Sequence, residues 1–258
     1  MPRFAANLTM LFTEVPFLDR FERAAANGFT AVEFLFPYPY PAEDLKSRLD
    51  THGLSLVLHN LPAGDWDAGE RGIAVLPGRE AEFRAGVDQA IAYATTLGTP
   101  RLNCLVGKTP AGVLPDVVHA TLVANLRHAA RALHSAGLTL LVEAVNDKDI
   151  PGFHLTRTAQ VLALLDEVGE PNVQVQYDLY HAQRMEGELA ATVAAHLPRI
   201  AHIQLADNPG RHEPGTGEIA YDFLLPYLDR IGYTGHIGCE YKPATTTEAG
   251  LGWLARYR

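Results

Sequence analysis

The chain has little of what marks several common classes of protein. Only two of its 258 residues are cysteine, Cys104 and Cys239, and they lack the paired spacing of a disulfide framework or a zinc site. Lysine and arginine number 21 against 30 aspartate and glutamate residues, for a net charge of −9. Because no basic stripe exists, nucleic acid is not an expected partner. No apolar run approaches the ~20 residues that span a bilayer, so no membrane partner is expected either.

The N-terminal segment also lacks the order of charged, apolar and small residues that marks a signal peptide. We interpret the two cysteines as buried small side chains in a reducing compartment. Together these absences predict a soluble protein of the cytoplasm.

Strand-like and helix-like patterns alternate along the whole chain, and no linker or low-complexity segment divides it. The expected strands cover residues 4–11, 31–36, 54–61, 101–106, 138–145, 173–179, 200–206 and 236–241. Eight strand–helix units predict a parallel sheet closed into a (β/α)8 TIM barrel, with residues 1–258 as a single domain. The main alternative is an open doubly wound sheet, which usually carries a glycine-rich turn after its first strand. Here that strand is followed by Phe-Thr-Glu-Val-Pro, which favours the barrel.

Four residues with oxygen-bearing side chains lie at or near the ends of apolar runs: Glu143, Asp178, Gln204 and Glu240. Successive members are 35, 26 and 36 residues apart, about the length of one strand–helix unit. In the last three strands, polar or small residues share the face of these side chains, and mostly apolar residues occupy the other face. We therefore expect the four side chains to point into the barrel and to converge at its C-terminal rim, where barrel enzymes hold their chemistry.

Three of these four side chains can carry negative charge, and buried like charges are costly unless a cation compensates them. Oxygen donors suit a hard divalent ion, so the set predicts Mg2+ or Mn2+; a Zn2+ site would more often show cysteine or several histidines. Taken singly, each residue is better explained as a hydrogen-bonded or solvated strand end. The spacing and common direction of all four favour the metal site.

Further polar residues follow the same strand ends and are candidates for binding a substrate. A carboxylate can be held by a basic side chain, and by arginine bidentately. Each of these residues taken alone is also consistent with a structural role. The candidates are His59 at the end of strand three, Arg71 in the following loop, Lys108 past strand four, His181 past strand six and Arg211 in the loop after strand seven.

A metal flanked by two glutamates from non-adjacent strands suggests a reaction. A divalent ion that holds a carbonyl and a neighbouring hydroxyl acidifies the proton between them and stabilises the resulting enediolate. One carboxylate removes the proton and another returns it to the adjacent carbon. Glu143 and Glu240 can perform these two tasks, with Asp178 and Gln204 as ligands only. The expected reaction is aldose–ketose isomerisation, or epimerisation next to a ketone.

Several longer segments extend this interpretation. The chain resembles the hydroxypyruvate isomerase family, within the xylose-isomerase-like barrel superfamily, nearly from end to end. The segments that carry the resemblance include Val-Glu-Phe-Leu-Phe-Pro-Tyr from residue 32, His-Asn-Leu-Pro-Ala-Gly-Asp-Trp from 59, Asn-Cys-Leu-Val-Gly-Lys-Thr-Pro from 103, Ala-Asp-Asn-Pro from 206 and Gly-Cys-Glu-Tyr-Lys-Pro from 238.

The resemblance implies interconversion of hydroxypyruvate and tartronate semialdehyde (2-hydroxy-3-oxopropanoate) in glyoxylate metabolism. It implies that Glu143 and Glu240 are the catalytic glutamates and that they bind metal with Asp178 and Gln204. Related ketose epimerases often carry histidine where this chain has Gln204, which weakens transfer of their sugar substrates. A homo-oligomer is also expected from the resemblance.

Other functions remain open at this point. Close relatives isomerise 2-oxo-tetronates, although the segment Ala-Asp-Asn-Pro favours hydroxypyruvate. A ketose 3-epimerase with the same mechanism is a further alternative. A dehydratase or lyase, or a barrel that binds a metabolite without catalysis, fits the sequence less well.

Overall fold

A computed structural model describes residues 2–257, in which parallel strands form one closed barrel. The last strand pairs with the first, with Arg3 opposite His236 and Ala6 opposite Cys239. The predicted (β/α)8 barrel is therefore confirmed. The strands are β1 (Arg3–Asn7), β2 (Ala31–Glu33), β3 (Ser55–Asn60), β4 (Arg101–Cys104), β5 (Thr139–Glu143), β6 (Val173–Asp178), β7 (Ile200–Leu205) and β8 (His236–Cys239).

Helices surround this barrel and follow the strands in sequence. They are α1 (Arg20–Ala26), α2 (Ala42–Thr51), α3 (Glu80–Leu97), α4 (Pro115–Ser135), α5 (Thr158–Val168), α6 (Leu179–Met185), α7 (Leu189–His196), α8 (Tyr221–Arg230) and α9 (Thr247–Gly250). Short 3-10 segments occur at Phe17–Asp19, Leu197–Arg199 and Leu251–Tyr257. Within residues 2–257, every helix is too short or too polar to cross a membrane.

The sequence pattern overestimates the length of several strands and misses one helix. Strand β1 ends at Asn7, where its side-chain oxygen accepts a hydrogen bond from the backbone of Thr9 and turns the chain. Helix α6 begins directly after β6 because the Asp178 carboxylate caps it, accepting from the backbone N–H groups of Tyr180 and His181. Helix α6 has only seven residues, too few to show a clear helical period in the sequence, and its start is decided by this cap.

The two faces of the strands have different surroundings. Side chains such as Val173, Val175 and Tyr177 belong to the large core between strands and helices. Inside the barrel, a small apolar cluster that includes Ala5, Ala31, Val57 and Leu141 lies towards the N-terminal ends of the strands. The polar lumen residues are buried towards the C-terminal ends, and this arrangement places them beneath the rim.

A cavity of about 650 Å³ lies at the opposite, N-terminal mouth of the barrel. It is lined by Arg3, Arg101, Gln174 and His236 among others, and no acidic residue of the described chain contributes to it. The carboxylates that could perform proton transfer are at the other end, so the candidate site lies at the C-terminal rim.

Candidate active site

Glu143 is the last residue of β5, and its side chain is almost completely buried. One carboxylate oxygen, Oε2, accepts hydrogen bonds from Asn103 Nδ2 at 3.2 Å and from Gln176 Nε2 at 3.1 Å. The other, Oε1, lies 3.9 Å from His181 Nε2. Neighbouring strands thus orient the carboxylate and leave Oε1 directed at the imidazole.

Asp178 is the last residue of β6, and its two carboxylate oxygens have different contacts. Oδ1 accepts from the backbone N–H groups of Tyr180 at 2.7 Å and His181 at 3.3 Å. Oδ2 is buried and accepts no hydrogen bond from any residue that the structure describes. It lies 3.7 Å from His181 Nε2 and 3.8 Å from an Arg211 nitrogen. A buried carboxylate oxygen without a donor is suited to a cation or to a donor on a substrate.

Glu143, Asp178 and His181 therefore form a group whose potential ligand atoms lie within 4.8 Å of one another. All three side chains are buried. Sequence analysis assigned His181 to substrate binding, and the structure brings it against two of the four predicted metal ligands.

Glu240 follows β8 directly and pairs with Arg211. Its Oε2 accepts from Arg211 at 2.6 Å, and its Oε1 accepts from Asn7 Nδ2 at 3.3 Å. The guanidinium also lies over the ring of Tyr180, 5.1 Å from its centroid. The positively charged guanidinium of Arg211 thus lies between the carboxylates of Glu240 and Asp178.

Gln204 on β7 has both ends of its amide engaged with lumen neighbours. Its Oε1 accepts from Gln176 Nε2 at 2.6 Å, and its Nε2 donates to Glu33 Oε1 at 2.8 Å. Glu33 also accepts from Asn7 Nδ2 at 3.0 Å. Gln204 thus lies in the lumen on the same face as Asp178, but its oxygen is directed at Gln176 in this structure.

Glu33 joins the two proposed proton-transfer residues through amide side chains. Asn7 donates to both Glu33 and Glu240, while Gln204 and Gln176 continue the chain from Glu33 to Glu143. The second oxygen of Glu33 lies 2.6 Å from Nε2 of buried His202. This network fixes the rotamers of the carboxylates above it.

Burial and mutual repulsion shift the proton affinities of the site. Burial, together with the charges of Glu240 and Asp178, raises the pKa of Glu143 well above its ordinary value. Burial raises the pKa of Glu240 to about 8, although the Arg211 guanidinium acts in the opposite direction. Burial also raises the pKa of Asp178, again opposed by Arg211. Perturbed carboxylates at a barrel rim are typical of residues that exchange protons.

The loop that carries Arg211 is organised by one buried carboxylate, Asp207. Asp207 Oδ1 accepts from the backbone N–H groups of Asn208 and Ile219, and Oδ2 accepts from those of Gly215 and Gly217, all at 2.8–3.0 Å. Two further bonds join the Asp207 backbone to Arg211 and His212. Arg211 itself adopts a left-handed backbone with φ of 57°. These contacts explain why the segment from residue 207 is an ordered loop.

The other three predicted binding residues are engaged elsewhere. His59 is buried, its Nδ1 lies 3.2 Å from the Asn60 carbonyl, and burial lowers its pKa to about 4. Lys108 donates to the carbonyl of Gly69 at 3.1 Å. Arg71 lies over the ring of Trp66 at 3.9 Å and donates to backbone carbonyls of its own loop. These contacts hold the loop after β3 and leave Arg211 as the basic residue in direct contact with the carboxylates.

The amide side chains that support the site were not predicted from the sequence. Asn7 is the last residue of β1, Asn103 is the last but one of β4, and Asn146 lies three residues past β5, so all three are close to the strand ends that carry Glu143 and Asp178. A search for every polar residue at a strand end, rather than for acidic residues alone, would have found them.

Comparison with known proteins agrees with the barrel fold. Residues 21–257 match the family described as xylose isomerase-like TIM barrel. The hydroxypyruvate isomerase of Escherichia coli (strain K12) is 59% identical over 258 residues, covering all of both chains. The 2-oxo-tetronate isomerase of Cupriavidus necator is 49% identical over 257 residues, covering 100% of this chain and 99% of the relative. The crystal structure of AP endonuclease, family 2 from Brucella melitensis superposes with a TM-score of 0.97 at 46% identity and full coverage of both chains. By fold and by sequence over nearly its whole length, the chain belongs to the xylose isomerase-like TIM barrel family.

Proposed function

We propose that the protein is an isomerase that interconverts hydroxypyruvate and 2-hydroxy-3-oxopropanoate. The observation that carries this proposal is the pair of buried glutamates, Glu143 and Glu240, whose pKa values are both raised. A buried glutamate whose pKa is raised holds a proton more readily than an exposed one, so it can return a proton as well as accept one. The hydroxypyruvate isomerase from Escherichia coli, 59% identical, supports the choice of a three-carbon substrate.

The chemistry is a proton transfer between neighbouring carbon atoms. One glutamate takes a proton from C3 of hydroxypyruvate, and the electron pair of that C–H bond moves to form the enediolate. The second glutamate delivers a proton to C2, while a proton moves from the C3 oxygen to the C2 oxygen. No atom is gained or lost. Glu143 and Glu240 stand on β5 and directly after β8, so a small substrate can lie between them.

Arg211 is our candidate for the partner of the substrate carboxylate. Its guanidinium contacts Glu240 and approaches Asp178, and it has donors left over, since the buried Nε forms no hydrogen bond with described residues. A guanidinium can bind a carboxylate with two parallel hydrogen bonds. Lys108 and Arg71 are the alternative partners of the substrate carboxylate, but each would first have to give up its hydrogen bonds to the loop after β3.

The donor set fits a divalent cation in part. Asp178 Oδ2 is buried without a hydrogen-bond donor among the described residues, and Glu143 Oε1 lies with it near His181 Nε2. These are the two oxygens that would hold Mg2+ or Mn2+. Glu240 and Gln204, the other two predicted ligands, would have to exchange Arg211 and Gln176 for the ion. When bound, the cation would polarise the substrate carbonyl and stabilise the enediolate.

A 2-oxo-tetronate isomerase is the second candidate, favoured by the 49% identical relative from Cupriavidus necator. Its substrate has the same carboxylate and oxo groups with one more carbon. A turnover screen with hydroxypyruvate, 2-oxo-tetronates and ketoses, with Mg2+ or Mn2+ and with EDTA as the control, separates these candidates. Product mass separates isomerisation or epimerisation, which conserve mass, from a dehydratase.

The test of the mechanism uses both glutamates. In D2O, the product of the wild-type protein should carry deuterium at the carbon that receives the proton. Glu143→Gln and Glu240→Gln should each lower kcat about 10²–10⁴-fold, the usual contribution of a positioned acid or base. Glu167→Gln, on the exposed surface beside His119, is the matched control and should retain full activity. Normal turnover by both active-site variants would refute the proposed roles.

The proposed setting is glyoxylate metabolism in the cytoplasm, with a small hydroxy-oxo acid as the only substrate class. Nucleic acid is not among the proposed ligands, because the net charge is −9 and the one compact group of candidate metal ligands among the described residues contains a single histidine. A homo-oligomer is proposed from the family resemblance, and sedimentation of the purified protein tests it.

A further inference from the structure

Asn146, three residues past the end of β5, is fully buried and has a fixed amide orientation. Its Oδ1 accepts hydrogen bonds from the backbone N–H groups of Lys148 at 3.1 Å and Asp149 at 2.9 Å. A backbone N–H can only donate, so the atom facing these two groups must be the oxygen. The amide nitrogen, Nδ2, therefore points in the other direction.

That nitrogen faces His181. Asn146 Nδ2 lies 2.6 Å from His181 Nδ1, and the backbone N–H of Asn146 approaches the same ring nitrogen at 3.4 Å. Two donors thus surround Nδ1, which must present a lone pair to them. A neutral imidazole carries its single proton on one nitrogen, so the proton of His181 is on Nε2.

We propose that Asn146 is a positioning residue that holds His181 in the Nε2–H tautomer, and that His181 acts as a neutral hydrogen-bond donor to a substrate oxygen rather than as a metal ligand. Nε2 lies 3.9 Å from Glu143 Oε1 and 3.7 Å from Asp178 Oδ2. An atom placed between these carboxylates therefore meets an N–H group and not a lone pair. The role in substrate binding rests on the proposed function, but the tautomer does not.

This arrangement is opposite to that of a metal-bound histidine. Such a histidine nearly always donates its second ring N–H to a carboxylate or a carbonyl, which leaves the other nitrogen free to ligate. Here the second ring nitrogen accepts instead. Although Glu143, Asp178 and His181 have the spacing of a metal triad, a cation in this group would be held by the two carboxylates.

A further shell of side chains keeps the amide in place. Asn146 Nδ2 also donates to Asp149 Oδ2 at 3.1 Å. Asp149 in turn accepts from the hydroxyl of Tyr180 at 2.8 Å and from Arg184 at 2.9 Å. These contacts hold the Asn146 amide against the imidazole of His181.

The direct test is nitrogen-15 NMR of the imidazole groups in the wild-type protein, first without metal. We expect His181 Nδ1 to give the shift of a nitrogen with a lone pair and Nε2 the shift of a nitrogen that carries hydrogen. Adding Mg2+, which is diamagnetic, should leave the Nε2 proton in place. A proton on Nδ1, or loss of the Nε2 proton when Mg2+ binds, would overturn the proposal.

Asn146→Asp tests the positioning role. An aspartate oxygen can still accept from Lys148 and Asp149, but the group facing His181 Nδ1 becomes an acceptor. We expect Nδ1 to gain a proton and kcat to fall about 100-fold with a smaller change in KM, as for loss of a transition-state donor. An unchanged His181 spectrum in the folded variant would refute the role of Asn146.

Asp147→Asn is the matched control, because the Asp147 side chain is 44% exposed and pairs with Lys148. It changes the charge of the same loop but leaves the contacts of the Asn146 amide in place, so the His181 tautomer should not change. The added carboxylate of Asn146→Asp would face Asp149, and if that variant fails to fold, the wild-type spectra still decide the tautomer. If the spectra show Nε2–H but hydroxypyruvate is not turned over, the proposed function fails and the tautomer stands. If turnover occurs with Nδ1–H, the proposal about Asn146 fails alone.

Discussion

Replacing Asp207 with asparagine should destabilise the protein, because backbone N–H groups that now donate to the carboxylate would lose their acceptor. The side chain is 1% exposed, and each of its oxygens accepts two backbone N–H groups from the loop that follows β7. Asparagine has nearly the same shape but can offer only one oxygen. Whichever way the amide is turned, its nitrogen meets two N–H donors, either those of Asn208 and Ile219 or those of Gly215 and Gly217.

The magnitude follows from the number of donors left without an acceptor. A buried donor without an acceptor costs about 1–3 kcal/mol, so two fully buried donors would cost about 2–6 kcal/mol of unfolding free energy. Three of the four hydrogen bonds are only partly buried, which lowers the expected loss within that range. Movement of the loop towards water would bring the loss to the lower end of that range. Such movement would also displace Arg211 from Glu240, and a misplacement of about 1 Å can lower activity roughly 100-fold.

Urea denaturation followed by circular dichroism measures the first effect, and kcat/KM for hydroxypyruvate measures the second. Asp222→Asn is the control with the same chemical change, since the Asp222 side chain is 74% exposed and pairs with Arg256 at the surface. Its unfolding free energy should stay close to that of the wild type, because an exposed ion pair contributes little to stability. A loss below about 1 kcal/mol in Asp207→Asn would show that these four hydrogen bonds do not hold the loop.

Three further predictions concern the lumen and the carboxylates. Because burial raises the pKa of Glu240 from 4.5 to about 8, the folded state binds a proton that the unfolded state releases. The unfolding free energy of chelator-treated protein should therefore fall as pH rises from about 4.5 to about 8, and a flat profile in denaturation measurements would contradict this. Gly238→Ala would drive a methyl group into the carboxylate of Glu33, so it should cost about 1–3 kcal/mol in thermal or chemical unfolding. Gly252→Ala, with no atom within 4 Å of the added carbon, should change stability by much less, and equal losses would reject the steric argument. EDTA should abolish turnover and Mg2+ or Mn2+ should restore it, with a rise in melting temperature as the ion binds; full activity in EDTA would exclude the proposed cation.

The fold could be predicted from local patterns because most of the strands and helices are marked by their own hydrophobic period. Eight such units and the absence of a glycine-rich turn were sufficient to predict the barrel. Where a single side-chain contact and not a hydrophobic period sets the start of an element, the element was not predicted. The capping of α6 by Asp178 is the clearest case, because one side chain decides the start of a helix.

The positions of the site residues were less fully predictable. Strand alternation was enough to predict that Asp178, Gln204 and Glu240 share a face, and closure of the barrel brings Glu143 to them. Alternation does not say which atom each side chain will contact. The pairing of Glu240 with Arg211 depends on the path of a loop that Asp207 organises through four backbone groups.

By itself, then, the sequence determined the barrel and the four strand-end residues, since both depend on regular spacing along the chain. The tertiary structure alone decided the partners of those residues. It engaged the oxygen of Gln204 with Gln176 and directed Asn146 at His181 across 35 positions of sequence. The physical reason is that a hydrogen bond requires two atoms within about 3 Å, and barrel closure, register and loop path together set that distance.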